Sequence, residues 1–168
     1  MGCGGNTVVG LVKSTVFPVP AAGAARKTDS GDIEMKIKKG YKQLLAEAEA
    51  EIETLTVDQA IAEHGKDGVV FVDLRDPREA DREGKMPGAF ACTRGMLEFW
   101  IDPDSPYHKP VFAEDRRFVF FCAGGWRSAL AAKTAHDMGL ENVAHVEGGF
   151  GAWKTAGGPS EAPKPRGA

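Results

Sequence analysis

Short apolar runs, separated by segments of mixed polarity, dominate the pattern of hydrophobic and polar positions along the chain. The runs Val69–Val72 and Phe118–Phe121 have no polar member, which is typical of strands buried on both faces of a parallel sheet. Ala89–Cys92 and Asn142–Val146 are further predicted strands, and Thr54–Thr56 is a candidate for a short first one. The helices predicted from the remaining segments are Val57–His64, Pro77–Glu83, Gly95–Ile101, Ala129–Met138 and Phe150–Thr155. Because strands and helices alternate, we predict an α/β domain whose parallel sheet carries helices on both faces.

The two ends of the chain differ in pattern from this central region, residues 54–157. Residues 1–32 are rich in small residues, Gly and Pro, so we predict a flexible leader. Residues 33–53 place apolar side chains at helical spacing, and we predict an amphipathic helix that packs on the outside of the domain rather than forming a dimer. Its apolar stripe consists of Ile37, Tyr41, Leu44, Leu45, Ala48 and Ile52. Residues 158–168 are rich in Gly and Pro and are expected to be disordered.

Composition and charge narrow the classes of partner. The 168 residues include 21 Lys and Arg against 24 Asp and Glu, a net charge of −3, so we predict no binding to nucleic acid or to anionic membranes. All apolar runs are far shorter than the ~20 residues of a transmembrane helix. The three cysteines, Cys3, Cys92 and Cys122, form neither a disulfide framework nor a CxxC metal pair. We therefore expect a cytoplasmic protein without a metal or other cofactor.

The stretch FVFFCAGGWRSALAA, residues 118–132, holds the best candidate for a reactive side chain. Cys122 directly follows an apolar strand, and open α/β sheets bind their ligands at the carboxyl ends of their strands. Two glycines and a predicted helix come next, so N–H groups of the loop and of the first helical turn can converge on the sulfur. The helix dipole and the Arg127 guanidinium add positive potential. Together these features favour a nucleophilic thiolate over an inert buried thiol. The other members of this segment, the Cys122 loop (residues 122–128), are Ala123, Gly124, Gly125, Trp126, Arg127 and Ser128.

Charged side chains follow two other predicted strands at the same edge of the sheet. Asp73 and Arg75 come directly after the strand at residues 69–72, and Glu79 lies in the helix that follows. Arg94 follows the strand at residues 89–92, with only Thr93 between them. Because ligand-binding loops gather at this edge, we treat these four residues as candidates for contacting the substrate or for supporting the Cys122 loop.

The loop sequence CAGGWRS resembles the active-site loop of the rhodanese-like sulfurtransferases. Two further segments resemble the same family in the same order, VVFVDLRDPREADREGKMPGAFACTRGMLEFW at residues 69–100 and ENVAHVEGGFGAWKTAGGP at residues 141–159. The resemblance implies a three-layer α/β domain with a five-stranded sheet and a catalytic role for Cys122. Well-studied thiosulfate-specific members carry basic residues directly after the cysteine, where this loop has Ala123 and Gly124. The resemblance therefore does not assign the sulfur donor.

Sulfur transfer in two half-reactions is the function that this resemblance implies. Cys122 would take a sulfane sulfur from a small donor, thiosulfate or a persulfide, and the Cys122 persulfide would pass it to a thiol or cyanide. A persulfide carrier that serves a protein acceptor is an alternative. A phosphatase or arsenate reductase is disfavoured, because their loops place one residue more between Cys and Arg than the four found here. A binding module is disfavoured because such relatives usually lack the cysteine. We expect a monomer or a weak homodimer.

Overall fold

The structure, a computed structural model, describes residues 36–163. The predicted leader, residues 1–32, lies outside this range, as do residues 33–35 of the predicted first helix and residues 164–168 of the predicted tail. The strands of the described part are β1 (Glu53–Leu55), β2 (Val69–Asp73), β3 (Phe90–Ala91), β4 (Arg117–Phe121) and β5 (Val143–Val146). Its α-helices are α1 (Tyr41–Glu51), α2 (Val57–Glu63), α3 (Pro77–Glu83), α4 (Leu97–Ile101), α5 (Trp126–Asp137) and α6 (Gly149–Thr155). Single turns of 3-10 helix occur at Arg94–Met96 and Pro110–Ala113.

The five strands form one parallel sheet in the order β1-β5-β4-β2-β3, which confirms the predicted fold class. β4 lies in the middle of the sheet and pairs with β2 on one side and β5 on the other. Four of its five residues, Phe118–Phe121, are buried, as the apolar run predicts. Alternate side chains of a strand point to opposite faces, so β4 contributes to two separate apolar cores.

Each face of the sheet has its own core. Phe118 and Phe120 pack with residues of α4 and α5, and α1 lies against α5 on this side. Val119 and Phe121 pack on the opposite face with residues of α2 and α6, including the fully buried Trp153. Burying one large apolar side chain stabilises the folded state by about 1.5–3 kcal/mol, so these two cores are the main source of stability. They hold β4, and with it the residue that follows the strand, in a fixed position.

The starts of two helices differ most from the sequence predictions. The first helix begins at Tyr41 instead of residue 33, because residues 36–40 are not helical and Gly40 has an extended backbone. Lysines at positions 36, 38 and 39 would also oppose the helix dipole. α5 begins at Trp126 instead of Ala129, because Gly125 takes a left-handed conformation that ends the loop and leads directly into the helix.

The disorder predicted for residues 158–168 does not hold for residues 158–163. The Trp153 Nε1–H donates to the Pro159 carbonyl at 2.9 Å. Glu161 and Lys85 exchange two backbone hydrogen bonds of 3.2 and 2.7 Å. These contacts, which the Gly/Pro composition does not reveal, hold the segment against α6 and the chain after α3.

Candidate active site

Cys122 lies at the carboxyl edge of the sheet, directly after its central strand β4. The residue is only 2% exposed and belongs to the apolar cluster formed with α4 and α5. Its neighbours in the chain, Ala123 and Gly124, are exposed. The sulfur is therefore held in an apolar setting just below a solvent-facing loop.

The backbone after Cys122 turns back so that an N–H group points at the sulfur. The Gly125 N–H donates to Cys122 Sγ at 3.2 Å. Gly125 has φ +94°, and a Cβ there would lie 3.1 Å from the Gly148 nitrogen, so glycine is required at this position. The Ser128 hydroxyl donates to the Gly125 carbonyl at 2.8 Å from within the first turn of α5. The arrangement joins the end of β4 to the N-terminus of α5, whose dipole favours negative charge.

A second helix N-terminus holds the carbonyl groups of the loop. The Phe150 N–H, in the first turn of α6, donates to the Cys122 carbonyl at 2.7 Å. The Gly151 N–H donates to the Ala123 carbonyl at 3.0 Å. Gly149 has φ +57°, and a Cβ there would collide with the Cys122 carbonyl oxygen. The start of α6 therefore fixes the loop backbone at the cysteine.

Arg127 projects from the first turn of α5 onto Glu79 of α3. Its Nη1 and Nη2 groups donate to the two carboxylate oxygens, each at 2.7 Å. Asp76 caps α3, and its backbone N–H donates to the Glu79 carboxylate at 3.1 Å. The hydrogen bonds from Arg127 are the main reason why the pKa of Glu79 falls from 4.5 to about 2. The same pair raises the pKa of Arg127, and the Cys122 side chain raises it further.

Asp73 and Arg75 form a buried ion pair at the same edge. The Arg75 Nη2 donates to Asp73 Oδ2 at 2.7 Å, and its side chain is 1% exposed. The guanidinium also lies over the Phe150 ring, 4.0 Å from its centroid, and donates to the Gly84 carbonyl. This pair connects the end of β2 to α6, so it supports the loop from below.

The residues matched by the family model of the rhodanese-like domain are 56–156. The chain belongs to this family. Since the match spans α2 to α6 with the Cys122 loop, it includes every strand except β1 and both helix N-termini that frame the cysteine.

Named sulfurtransferases are among the proteins similar to this rhodanese-like domain. A mitochondrial thiosulfate sulfurtransferase of Saccharomyces cerevisiae is 32% identical over 116 residues, covering 65% of this chain and 77% of the yeast protein. The solution structure of a polysulfide-sulfur transferase homodimer from Wolinella succinogenes is 26% identical, with a TM-score of 0.58, and the alignment covers 76% of this chain and 91% of that one. These homologues support sulfurtransferase activity in general, with a sulfur donor and an acceptor as substrates.

A further solved structure similar to this rhodanese-like domain comes from Rhodopseudomonas palustris. It is 65% identical with a TM-score of 0.76, and the alignment covers 77% of this chain and all of that one. That protein is described as one of unknown function and a possible tyrosine phosphatase.

The structure brings some of the predicted candidates to the Cys122 loop and not others. Glu79 contacts Arg127 directly, and the Asp73–Arg75 pair supports the loop through α6. Arg94 is directed elsewhere, since its guanidinium bonds to Glu98 at 2.7 Å and to Thr134 in α5 at 3.4 Å. No helix within residues 36–163 is long and apolar enough to cross a membrane.

Sequence reasoning missed Tyr41 as a neighbour of the loop. Tyr41 begins α1, outside the family match, and its ring lies 5.4 Å from the ring of Trp126 in the Cys122 loop. Both side chains are largely exposed, at 54% and 62%. In the sequence Tyr41 is one member of the apolar stripe of the first predicted helix. In the structure it is exposed, whereas other members of the stripe, such as Ala48, are buried.

Proposed function

We propose that this chain is a sulfurtransferase that moves a sulfane sulfur from a small donor to a thiol or cyanide through a persulfide on Cys122. The observation that carries the proposal is the hydrogen bond from the Gly125 N–H to Cys122 Sγ, made at the N-terminus of α5. A donor aimed at the sulfur favours the thiolate, and the thiolate is the nucleophile in this chemistry. Within the described residues Cys92 and Cys122 are both free thiols, which fits a reducing compartment such as the cytoplasm.

In the first half-reaction the Cys122 thiolate attacks the sulfane sulfur of the donor. A bond forms between Cys122 Sγ and that sulfur, and the donor's own bond to it breaks. With thiosulfate, sulfite leaves with the bonding electron pair. The negative charge then rests on the outer sulfur of the persulfide. N–H groups in the first turn of α5 have no partner within the helix, so they can stabilise that charge without reorganising.

In the second half-reaction a thiolate or cyanide attacks the outer sulfur. The persulfide bond breaks, the Cys122 thiolate is restored with the electron pair, and thiocyanate or a new persulfide leaves. Because the enzyme alternates between two covalent states, the kinetics are expected to be ping-pong. A protein thiol can take the place of the small acceptor, so the same chemistry serves a persulfide carrier.

Intact-mass measurement tests this proposal directly. The protein is incubated with thiosulfate and separately with a thiosulfonate, and the expected result is a gain of one sulfur atom on Cys122 that cyanide or dithiothreitol removes. Hydrolysis of an aryl phosphate is measured on the same preparation. If no sulfur is gained from either donor, or if phosphate hydrolysis exceeds sulfur transfer, the proposed function is wrong.

A further inference from the structure

An exposed aromatic pair stands beside the opening to Cys122. Trp126 is the first residue of α5, so its ring lies at the end of the helix that faces the cysteine. Tyr41 reaches the same end from α1, which packs along α5. The two rings are tilted by 37° to each other, and both leave more than half of their surface open to solvent. Exposed aromatic rings at a binding site supply apolar contact area at low entropic cost.

The charged side chains that meet at the Cys122 loop itself leave no surplus of positive charge. Arg127 is the one charged residue in the sequence of the Cys122 loop, and its guanidinium is bonded through both Nη groups to the Glu79 carboxylate. With Cys122 as a thiolate, the group formed by Cys122, Arg127 and Glu79 has a net negative charge. A dianionic donor is repelled more strongly by such a group than a monoanionic donor is.

We propose that Tyr41 and Trp126 make this chain selective for organic sulfane-sulfur donors, in which an alkyl or aryl group accompanies the sulfane sulfur, over inorganic thiosulfate. This selectivity rests on the proposed sulfur transfer. The organic group of the donor packs against the two rings while the sulfane sulfur meets Cys122 Sγ. Such a donor has one negative charge, whereas thiosulfate has two. The aromatic pair and the charge of the site therefore both favour organic donors over thiosulfate.

The chemical step is unchanged for an organic donor. With a thiosulfonate, Cys122 Sγ bonds to the sulfane sulfur, the bond between that sulfur and the sulfonyl sulfur breaks, and a sulfinate leaves with the electron pair. One negative charge enters on the donor and one departs on the sulfinate, so the persulfide retains the charge of the original thiolate. No oxidant or reductant is needed beyond the donor itself.

The experiment compares benzenethiosulfonate, methanethiosulfonate and thiosulfate as donors, each with cyanide as the acceptor. In a ping-pong reaction kcat/KM for the donor reports the first half-reaction alone, so the acceptor step does not affect it. Sulfite and sulfinates differ as leaving groups, and the donors therefore differ in intrinsic reactivity. We therefore divide kcat/KM for benzenethiosulfonate by kcat/KM for thiosulfate in each variant. The measured quantity is the change in this ratio from one variant to another.

Tyr41→Ala is the test variant, since it removes one ring and leaves the sequence of the Cys122 loop unchanged. We expect the ratio to fall about fivefold, which is ~1 kcal/mol and typical of an aromatic contact. Tyr41→Phe keeps the ring and should keep the ratio. The matched control is Tyr107→Ala, because Tyr107 is 60% exposed and its neighbour His108 lines a cavity with Gly139 and Leu140, beyond the far end of α5. Circular dichroism and thermal unfolding check that each variant folds.

Several outcomes overturn the inference. If the ratio stays the same in Tyr41→Ala, or falls equally in Tyr107→Ala, the aromatic pair does not select the donor. If the ratio also falls in a folded Tyr41→Phe variant, the donor selectivity depends on the hydroxyl group and not on the ring. If all donors sulfurate Cys122 without such selection, only this inference fails, whereas sulfuration by none of them refutes the proposed function itself.

Discussion

Cys92 and Cys122 occupy similar positions in the fold but different electrostatic surroundings. Each follows a strand at the carboxyl edge of the parallel sheet, Cys92 after β3 and Cys122 after β4. They are 0% and 2% exposed and belong to the same apolar cluster. By burial and by place in the sheet, the two thiols are nearly equivalent.

The chain segment after each cysteine separates them. After Cys92 comes a single turn of 3-10 helix at Arg94–Met96, and the sulfur lies 3.9 Å from the Thr93 carbonyl oxygen. Burial raises the pKa of the Cys92 thiol to about 12, the charge of Glu98 raises it further, and Arg94 opposes the change. After Cys122 comes a glycine that donates its N–H to the sulfur and then a 12-residue helix.

This difference is why we expect a nucleophile at only one of two similar positions at the ligand-binding edge. Both cysteines meet the same apolar core, which favours a neutral thiol. Only at Cys122 do an N–H group and a helix N-terminus face the sulfur and oppose that effect. We therefore expect the local backbone after the strand, rather than the strand itself, to decide which thiol reacts.

The largest difference in sulfur transfer is expected between variants in which one cysteine at a time is replaced by alanine. Cys122→Ala removes the nucleophile, so sulfur transfer and the gain of one sulfur in the intact mass should both disappear. Cys92→Ala should retain sulfur transfer and lose only stability, because a small cavity forms in the core. Cys3 lies outside the described residues, and Cys3→Ala should also retain activity. Persulfide formation in Cys122→Ala would contradict the proposed mechanism.

Alkylation of the two thiols should differ by at least about a hundredfold in the folded protein. With a pKa of about 12, only about one Cys92 in ten thousand is a thiolate at pH 8, and only the thiolate reacts. Peptide mapping after timed exposure to iodoacetamide should therefore find Cys122 modified first, with Cys92 slow from pH 6 to 10. The control is the protein in denaturant, where both thiols should react at similar rates. If Cys92 and Cys122 are alkylated at equal rates in the folded protein, their surroundings do not make the two thiols different in reactivity.

Lengthening the Cys122 loop should reduce sulfur transfer by about a hundredfold, because displacements of about 1 Å have effects of that size at preorganised sites. A Gly inserted between Gly124 and Gly125 moves the donating N–H away from its 3.2 Å contact with Cys122 Sγ. The fold should survive, since the Phe150 N–H still holds the Cys122 carbonyl on one side of the insertion.

The matched control for that insertion is a Gly placed between Pro106 and Tyr107, which are both exposed. Activity with thiosulfate and cyanide is measured in both variants, and circular dichroism confirms folding. Aryl-phosphate hydrolysis is followed as well, because the insertion gives the loop the Cys-to-Arg spacing of the phosphatases. Undiminished sulfur transfer in a folded loop variant would mean that loop length does not select the chemistry.

Much of the fold could be predicted because its signals are local in sequence. The unbroken apolar run of β4 and the position of Cys122 after it need only neighbouring residues to be recognised. The place of Asp73 and Arg75 at the carboxyl edge of the sheet was predicted in the same way, because both follow the apolar run of β2. The start of α5 was misplaced, because Gly125 ends the loop through a backbone conformation that composition does not reveal.

Contacts between distant segments could not be predicted in the same way. Glu79 and Arg127 are 48 positions apart, and only the packing of α3 beside the N-terminus of α5 brings them together. Tyr41 meets Trp126 because α1 lies along α5, which its apolar stripe does not specify. For a single sequence, such pairings depend on the arrangement of whole elements.

A smaller effect than that of the loop insertion is expected from Glu79→Gln, which weakens the support of the Cys122 loop without changing its length. Gln keeps the shape of Glu79 but has one acceptor oxygen and no charge, so one of the two 2.7 Å hydrogen bonds from Arg127 is lost and the other is weakened. We expect about a tenfold fall in donor kcat/KM, since Arg127 faces the sulfur from a less defined position. Glu114→Gln makes the same charge change just before β4, at the opposite edge of the sheet, and should leave activity unaltered.

The same variant should also change how stability depends on pH. The pKa of Glu79 is about 2 in the folded protein and 4.5 for the free group, so between these values the unfolded chain binds more protons. The ion pair therefore stabilises the fold fully above about pH 4.5, and this stabilisation is lost as the pH falls towards 2. In urea unfolding, the parent should exceed Glu79→Gln in stability at pH 7, and the difference should shrink at pH 3. A difference that stays constant between these two pH values would show that the pair with Arg127 does not hold Glu79 in its charged form.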